Sequence, residues 1–180
     1  MLLSGPITRR EIDWSEKGKV YTVSGKCDLW WLSKRIALPV PGGPPYTSAS
    51  HDVRTGKAST VILQYASYNG ESGGHSWRRV PGMTLGTDLG IGNTITGKAR
   101  FAELLTFVQM LALKGDVGFR LRQAMNSTSL VLEVYEPVDR SASVIFSPEL
   151  FNLIEYQLIE EMPEGNYGYI AGQGTGTSRA

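Results

Sequence analysis

The sequence predicts an α+β fold, in which antiparallel β-hairpins form partial barrels at both ends of the chain around a helical middle region. Residues near both ends alternate with period two, the middle carries apolar stripes at helical spacing, and the 21 glycines and 9 prolines are scattered singly as turn signals. We therefore expect a β-rich part made of residues 1–38 with 117–180, and a helical and loop insert of residues 39–116.

At the N-terminal end, two runs rich in β-branched and aromatic residues predict a hairpin. The runs cover residues 7–13 and 19–25, and residues 15–18 (Ser-Glu-Lys-Gly) supply the turn between them. Asp28 is a suitable N-cap for a short helix that continues to Ile36, because apolar residues then share one face.

The next stretch is rich in proline and glycine and predicts an exposed loop over residues 39–50, with Pro39 ending the preceding helix. A second helix is expected to start after Thr55 and to end at Asn69-Gly70. Its buried stripe consists of Ala58, Val61, Ile62 and Tyr65.

Residues 71–93 are glycine-rich with little periodicity, which leaves two interpretations open: one long loop, or short strands at 78–80 and 83–85. A long helix is predicted after them, with Thr96 as N-cap and Gly115 at the C′ position. Its apolar stripe consists of Phe101, Leu104, Leu105, Val108, Leu111 and Ala112.

After Gly118 the apolar period changes from helical to two, which predicts a second hairpin. Its strands are expected near 119–124 and 130–135, joined across residues 126–129. Further strands are expected at 143–146, 154–161 and 167–171.

Composition narrows the classes of function. A chain of 180 residues with 41% hydrophobic and 19% charged positions can bury a core without disulfides or metals. The formal net charge of +1 gives no field that attracts nucleic acid or an anionic membrane, so neither is predicted as a partner. No apolar run approaches the ~20 residues that cross a bilayer, and residues 1–6 lack the basic and apolar regions of a secretion signal.

Few residues have metal-binding or nucleophilic chemistry. The single cysteine, Cys27, excludes an internal disulfide and is interpreted as a small buried hydrophobe. The two histidines, His51 and His75, lie in Gly/Ser-rich surroundings without a second ligand at helical spacing. We therefore predict no catalytic residue, no cofactor-binding residue and no metal ligand.

Three motifs resemble reactive sites but have simpler explanations. Residues 172–176 (Gly-Gln-Gly-Thr-Gly) lack the following helix that a phosphate-binding loop requires, and are interpreted as a flexible exit from the last strand. Residues 72–76 contain two serines and a histidine, but neighbours in sequence rarely align as nucleophile and base. Glu160 and Glu161 point to opposite faces of a strand, so solvated charges are the preferred interpretation.

Arginine pairs and tryptophans form the remaining candidates. The pairs at 9–10 and 78–79 could contact phosphates, but strand-edge charge that blocks aggregation is the preferred role on a nearly neutral chain. The tryptophans could line a sugar-binding platform, but large aromatics more often anchor cores and subunit interfaces. They are Trp14, Trp30, Trp31 and Trp77.

Three strings in the last third carry the most specific signal: Val131 to Ser141, which contains Val-Tyr-Glu-Pro and an Asp-Arg turn; Val144 to Leu153; and Asn166 to Gly174. Their succession resembles siphophage tail proteins that form the hub of the tail tip. Nearer the N-terminus, Gly25, Asp28, Leu32 and Arg35-Ile36 also match a pattern of that family. The resemblance extends by pattern from about Gly5 to Gly176.

The resemblance implies a structural, non-enzymatic subunit of the virion tail, made in the host cytoplasm. Its implied partners are copies of itself, with a trimer expected, together with the distal tail, tape-measure and receptor-binding proteins. No catalytic or metal-binding residue is carried over, and Asp139-Arg140 is interpreted as turn chemistry with a local ion pair.

Two alternatives remain open at this point. One is a tail-associated cell-wall hydrolase or endopeptidase that uses residues 72–76. The other is a carbohydrate-binding module that contacts the host surface through exposed tryptophans such as Trp77.

Overall fold

The computed structural model describes residues 4–124 and 127–162, and the chain divides into two units, Met1–Val138 and Asp139–Ala180. Helices occur together with small sheets, which confirms the predicted α+β class. The sheets of the described residues have two or three strands each, and none closes into a barrel. The grouping of residues 1–38 with 117–180 around an insert stays a prediction.

The N-terminal hairpin is confirmed. Strand β1 (Ile7–Ser15) pairs antiparallel with β2 (Gly18–Gly25), and Glu16-Lys17 forms the two-residue turn. Gly18 has φ of +134°, a backbone conformation that favours glycine, which explains why this turn closes at a glycine.

The short helix after the hairpin is shorter than predicted. Helix α1 covers only Trp30–Ser33, and its N-cap residue is not Asp28. The Asp28 carboxylate instead accepts a hydrogen bond from the Ser4 hydroxyl. The predicted extension to Ile36 is wrong because strand β3 (Ile36–Ala37) pairs with β7 (Ala102–Glu103), a partner that is distant in sequence.

The loop over residues 39–50 contains no helix or strand, as predicted. Strand β4 (Asp52–Lys57), which the sequence did not indicate, follows it and leads directly into helix α2 (Ala58–Gly70). Helix α2 confirms the predicted second helix and its buried stripe.

The glycine-rich stretch after α2 combines both interpretations. It forms a 3-10 turn at Ser76–Arg78 and strand β5 (Met83–Leu85). The strand expected at 78–80 does not form.

The start of the long helix was predicted seven residues too early, since its N-cap is Glu103 and not Thr96. Thr96 lies inside strand β6 (Thr94–Ala99), which pairs with β4, and helix α3 covers Leu104–Gly115. Thr96 also pairs with Thr55 through their hydroxyl groups, 2.8 Å apart. At the other end, the left-handed residue is Asp116 rather than Gly115. A Cβ on Gly115 would lie 2.2 Å from the Ala58 Cβ, so this glycine allows α3 to approach the start of α2.

The second hairpin is confirmed by strands β8 (Gly118–Gln123) and β9 (Leu130–Tyr135), which pair antiparallel. Strand β5 adds to β9 in parallel and makes a three-stranded mixed sheet. The predicted turn at 126–129 falls partly outside the described residues.

Helices α2 and α3 pack against each other in the centre of the first unit, with sheet residues around them. Tyr65 on α2 is fully buried, and its ring meets that of Phe107 on α3 edge to face at 4.9 Å. The largest fully buried apolar side chains are Tyr65, Leu32, Ile62, Leu104, Leu111, Leu132, Val61 and Val108.

The described part of the second unit contains one 3-10 turn, Pro148–Leu150, started by a hydrogen bond from the Glu149 N–H to the Ser147 hydroxyl. The strands expected at 143–146 and 154–161 are not formed, because no partner strand pairs with them in the described residues. The strand expected at 167–171 and the motif at 172–176 lie outside the described residues.

Candidate functional site

One face of the N-terminal hairpin is apolar and uncovered. Cross-strand partners share a face, and alternate residues along each strand lie on that same face. The register therefore places Ile12 opposite Tyr21, with Trp14 and Val23 beside them. Their exposed fractions are 58% for Ile12, 63% for Tyr21, 78% for Trp14 and 59% for Val23. We call these four side chains the apolar hairpin face.

The charges of the hairpin are distributed unequally between its two faces. The register places Arg10 and Lys19 on the same side as the apolar hairpin face, and the Lys19 Nζ lies 4.9 Å from the centre of the Tyr21 ring. The opposite side carries Glu11 and Asp13, and Glu11 pairs with Arg9 at 2.8 Å. The apolar hairpin face is thus bordered by cations alone.

A hairpin with this much exposed apolar surface needs a second surface to cover it. Every residue of β2 is exposed, and within β1 only Glu11 is even partly covered. A two-stranded hairpin is marginally stable in water by itself, and uncovered apolar patches mark interaction sites. The apolar hairpin face is therefore the candidate functional site, and its chemistry is suited to binding protein.

A second stretch has complementary composition. Residues 141–162, here called the acidic segment, contain four glutamates and neither lysine nor arginine. No side chain of the segment is buried. Its large exposed apolar residues are Val144, Ile145, Phe146, Leu150, Phe151, Ile154, Tyr156, Leu158, Ile159 and Met162.

The serine and histidine candidates at 72–76 do not form a nucleophile and base pair. The Ser72 hydroxyl donates to the Glu71 carboxylate at 2.5 Å. The His75 ring stacks on Trp77 with centroids 5.8 Å apart, and its buried Nε2 has no hydrogen-bond partner in the described residues. No hydrogen bond joins His75 to Ser72 or Ser76 within that part of the chain.

The tryptophans separate into two groups. Trp14 and Trp77 are 78% and 73% exposed, whereas Trp30 and Trp31 are half-buried and meet edge to face at 5.2 Å. The prediction for the cysteine is wrong: Cys27 is exposed, because it follows β2 at the base of the uncovered hairpin.

The arginine pairs also differ from each other. Arg9 and Arg10 lie on the exposed strand β1, as predicted for strand-edge charge. Arg78 does not: it is only 7% exposed and lies in a 3-10 turn. Its guanidinium donates to the Ile36 carbonyl and to Asn69 Oδ1, and burial lowers its pKa. Nothing in the sequence indicated that Arg78 would be buried, because it follows a tryptophan in a glycine-rich stretch without periodicity.

The remaining acidic candidates are exposed. Glu160 and Glu161 lie on the surface, as expected for solvated charges. The Asp139 carboxylate accepts the Ser141 N–H at 2.8 Å, which lowers its pKa and confirms the turn. The expected ion pair with Arg140 is not formed in the described residues.

Two further observations concern the described ranges only. Within residues 4–124 and 127–162, no three His, Cys, Asp or Glu residues cluster in a way that could hold a metal ion. The helices of these ranges are too short or too polar to span a membrane.

An uncovered apolar hairpin is typical of proteins that work by contacting other proteins. Comparison with protein families shows that the chain is a phage protein. The family described as "Siphovirus ReqiPepy6 Gp37-like protein" matches residues 1–180, and the chain belongs to that family. No curated protein and no solved structure matches the chain.

Proposed function

We propose that this protein is a structural, hub-type subunit of the siphophage tail tip that acts by assembly and connects the tail tube to the receptor-binding parts. The observation that carries the proposal is the apolar hairpin face, whose four side chains are 58–78% exposed. Membership of a siphovirus family supports the phage setting. In this role the protein resides in the virion and transforms no substrate.

The occupant of the apolar hairpin face is the acidic segment of a neighbouring copy. Both surfaces are rich in large apolar side chains, which gain free energy when they leave water together. Their charges are opposite: Arg10 and Lys19 border the face, and the segment carries only glutamates. Complementary charge favours this pairing over contact between two hairpin faces, which would bring four cations together.

This contact joins two different surfaces and is therefore heterologous. Heterologous contacts generate a closed ring when the rotation between copies closes, and a trimer is the ring proposed here. The distal tail, tape-measure and receptor-binding proteins are the further partners of that ring.

The size of the apolar hairpin face is consistent with one contact per ring neighbour. Trp and Tyr each present ~150–250 Å² when fully exposed, so the four side chains offer on the order of 500 Å². With an equal area from the acidic segment, the contact buries about 1,000 Å², close to the lower limit for a specific interface. Ring closure adds to its stability because each copy is then held at two surfaces.

Mixing two broken variants tests the heterologous contact. The hairpin variant is Trp14→Ser with Tyr21→Ser, and the segment variant is Phe151→Ser with Ile154→Ser. Each variant alone is expected to be a monomer by light scattering at tens of micromolar, where the wild type is oligomeric. Their mixture retains one intact pair of surfaces and is expected to form a heterodimer.

The outcomes separate the models. Heterodimer formation supports the proposal. A mixture that stays monomeric refutes contact between hairpin and segment, and a monomeric wild type refutes self-assembly. Leu113→Ser is the matched control, since Leu113 is 86% exposed on α3, and this variant should remain oligomeric.

The absence of catalysis is part of the proposal. Residues 72–76 show no aligned serine and histidine, which gives the hydrolase alternative no support. Zymography on cell-wall substrate tests it directly, and a cleared zone that Ser72→Ala abolishes would replace a purely structural role with an enzymatic one.

A further inference from the structure

A small pocket lies between three stretches of the first unit that are far apart in sequence. Lys34 and Arg35 contribute from the end of α1, Tyr46 from the loop over 39–50, and Trp77 and Arg78 from the 3-10 turn. Its volume is about 240 Å³. It shares no residue with the hairpin, so it does not depend on the assembly proposed above.

The cations of this pocket have no acidic partner. The ion pairs of the described residues involve other arginines, and no carboxylate lies within 4 Å of Lys34, Arg35 or Arg78 in that part of the chain. Partial burial lowers the pKa of both arginines, and the positive charge of Arg35 lowers that of Arg78 further. An anion in the pocket would supply that missing charge.

The two arginines are also fixed in place. Arg35 donates to the carbonyl oxygens of Lys34, Arg78 and Arg79, and Arg78 donates to Ile36 and Asn69. A guanidinium has five N–H donors, so these bonds leave some donors of each arginine unused. Lys34 makes no hydrogen bond through its side chain in the described residues, and its Nζ lies 5.1 Å from the centre of the Trp30 ring.

Aromatic faces complete the pocket. Trp77 is 73% exposed; its ring stacks with that of His75, and the guanidinium carbon of Arg78 lies 6.0 Å from its centre. The Tyr46 ring is held by edge-to-face contact with Phe101 at 6.2 Å. Aromatic faces pack against the C–H face of a sugar ring, and cations bind phosphate or carboxylate.

We propose that this pocket binds a single acidic sugar, a pyranose ring that carries a phosphate or a carboxylate. Trp77 and Tyr46 hold the ring, while Lys34, Arg35 and Arg78 bind the anionic group. The volume of about 240 Å³ is below the range of ~300–1,000 Å³ that is usual for drug-sized ligands, which limits the ligand to about one monosaccharide unit. This unit is either a free sugar or one residue of an acidic polysaccharide.

Calorimetric titration of the 180-residue chain tests the proposal with four probes: glucose 6-phosphate, glucuronate, glucose and inorganic phosphate. At least one of the two acidic sugars is expected to bind saturably, and the tighter one identifies the anionic group. Glucose and inorganic phosphate are each expected to bind at least about tenfold more weakly than the acidic sugar. Glucose lacks the anionic group that the cations bind, and inorganic phosphate lacks the sugar ring that the aromatic residues hold.

Two variants assign the binding to the pocket without disturbing its fixed arginines. Lys34→Gln is expected to weaken the acidic sugar about tenfold, since it removes one charge-assisted contact. Trp77→Ala is expected to weaken the acidic sugar but not inorganic phosphate. The matched control is Lys98→Gln on the exposed side of β6, which should bind like the wild type.

Several results would overturn the assignment. These are the absence of saturable binding of both acidic sugars at millimolar concentration, equal affinity for glucose, or equal affinity for inorganic phosphate. Equal affinities of the Lys34→Gln and Lys98→Gln proteins would also overturn it. An acidic polysaccharide that competes with the bound monosaccharide would identify a polymer as the source, and a lack of competition would identify the free sugar.

Discussion

Replacing the buried Tyr65 with phenylalanine should destabilise the protein at neutral pH and stabilise it at high pH. Tyr65 is fully buried, and its hydroxyl donates to the Asp52 carbonyl at 2.7 Å. Burial first, and then the negative charge of Asp52, raise the pKa of Tyr65 from 10.0 to about 12. At pH 8, Tyr65→Phe should therefore cost about 1 kcal/mol, the net value of one hydrogen bond.

At high pH the sign changes. The folded state holds the Tyr65 proton more tightly than the unfolded chain, so this contribution to stability is complete below pH 10. It is lost as pH rises from 10 towards 12, and by pH 11 the wild type has lost about 1.4 kcal/mol through this group. Phenylalanine has no such loss, so at pH 11 the Tyr65→Phe protein should be more stable than the wild type by about 0.4 kcal/mol, the difference between this loss and the hydrogen bond.

Urea denaturation followed by circular dichroism at pH 8, 9, 10 and 11 measures this difference. Subtracting the two unfolding free energies at each pH cancels the titration of all other groups. A difference that stays constant from pH 8 to 11 would refute the assignment of a raised pKa to Tyr65. Tyr156→Phe controls for loss of a hydroxyl at a ring that is 74% exposed.

Two further predictions concern the packing around α2. Gly97→Ala should destabilise by about 1–3 kcal/mol in urea denaturation, because the added Cβ would lie 2.7 Å from the Tyr65 ring. Gly42→Ala, with nothing within 4 Å, should change stability by less than about 0.5 kcal/mol, and equal effects of the two alanines would contradict the packing argument. Asp88 accepts hydrogen bonds from two hydroxyls in the first turn of α2. Although partial burial alone would raise its pKa, these bonds and the Gly90 N–H lower it, so its contribution is present above about pH 4 and is lost as pH falls further. Asp88→Ala should thus cost about 1 kcal/mol at pH 7, and the gap to the wild type should narrow in thermal denaturation below pH 4.

The apolar hairpin face was only partly visible in the sequence. The pattern predicted the hairpin and its turn, but alternation of apolar and polar residues normally indicates a half-buried strand. The structure shows that the apolar side of this hairpin has no cover among the described residues. The sequence did not predict the pocket, because its lining residues Lys34, Tyr46 and Arg78 are far apart in the chain and no local pattern connects them.

The sequence by itself determined the α+β class, the two hairpins and helix α2, because each depends on neighbouring residues and their period. The tertiary structure decided the rest. Thr96 entered a strand rather than a helix cap because β6 pairs with β4, and Arg78 became buried because its acceptors Ile36 and Asn69 come from other elements. Conversely, residues 143–146 have strand-like composition but form no strand, since a strand requires a partner and none pairs with them in the described residues. Local propensity is encoded along the chain, whereas pairing and burial depend on which distant segments meet.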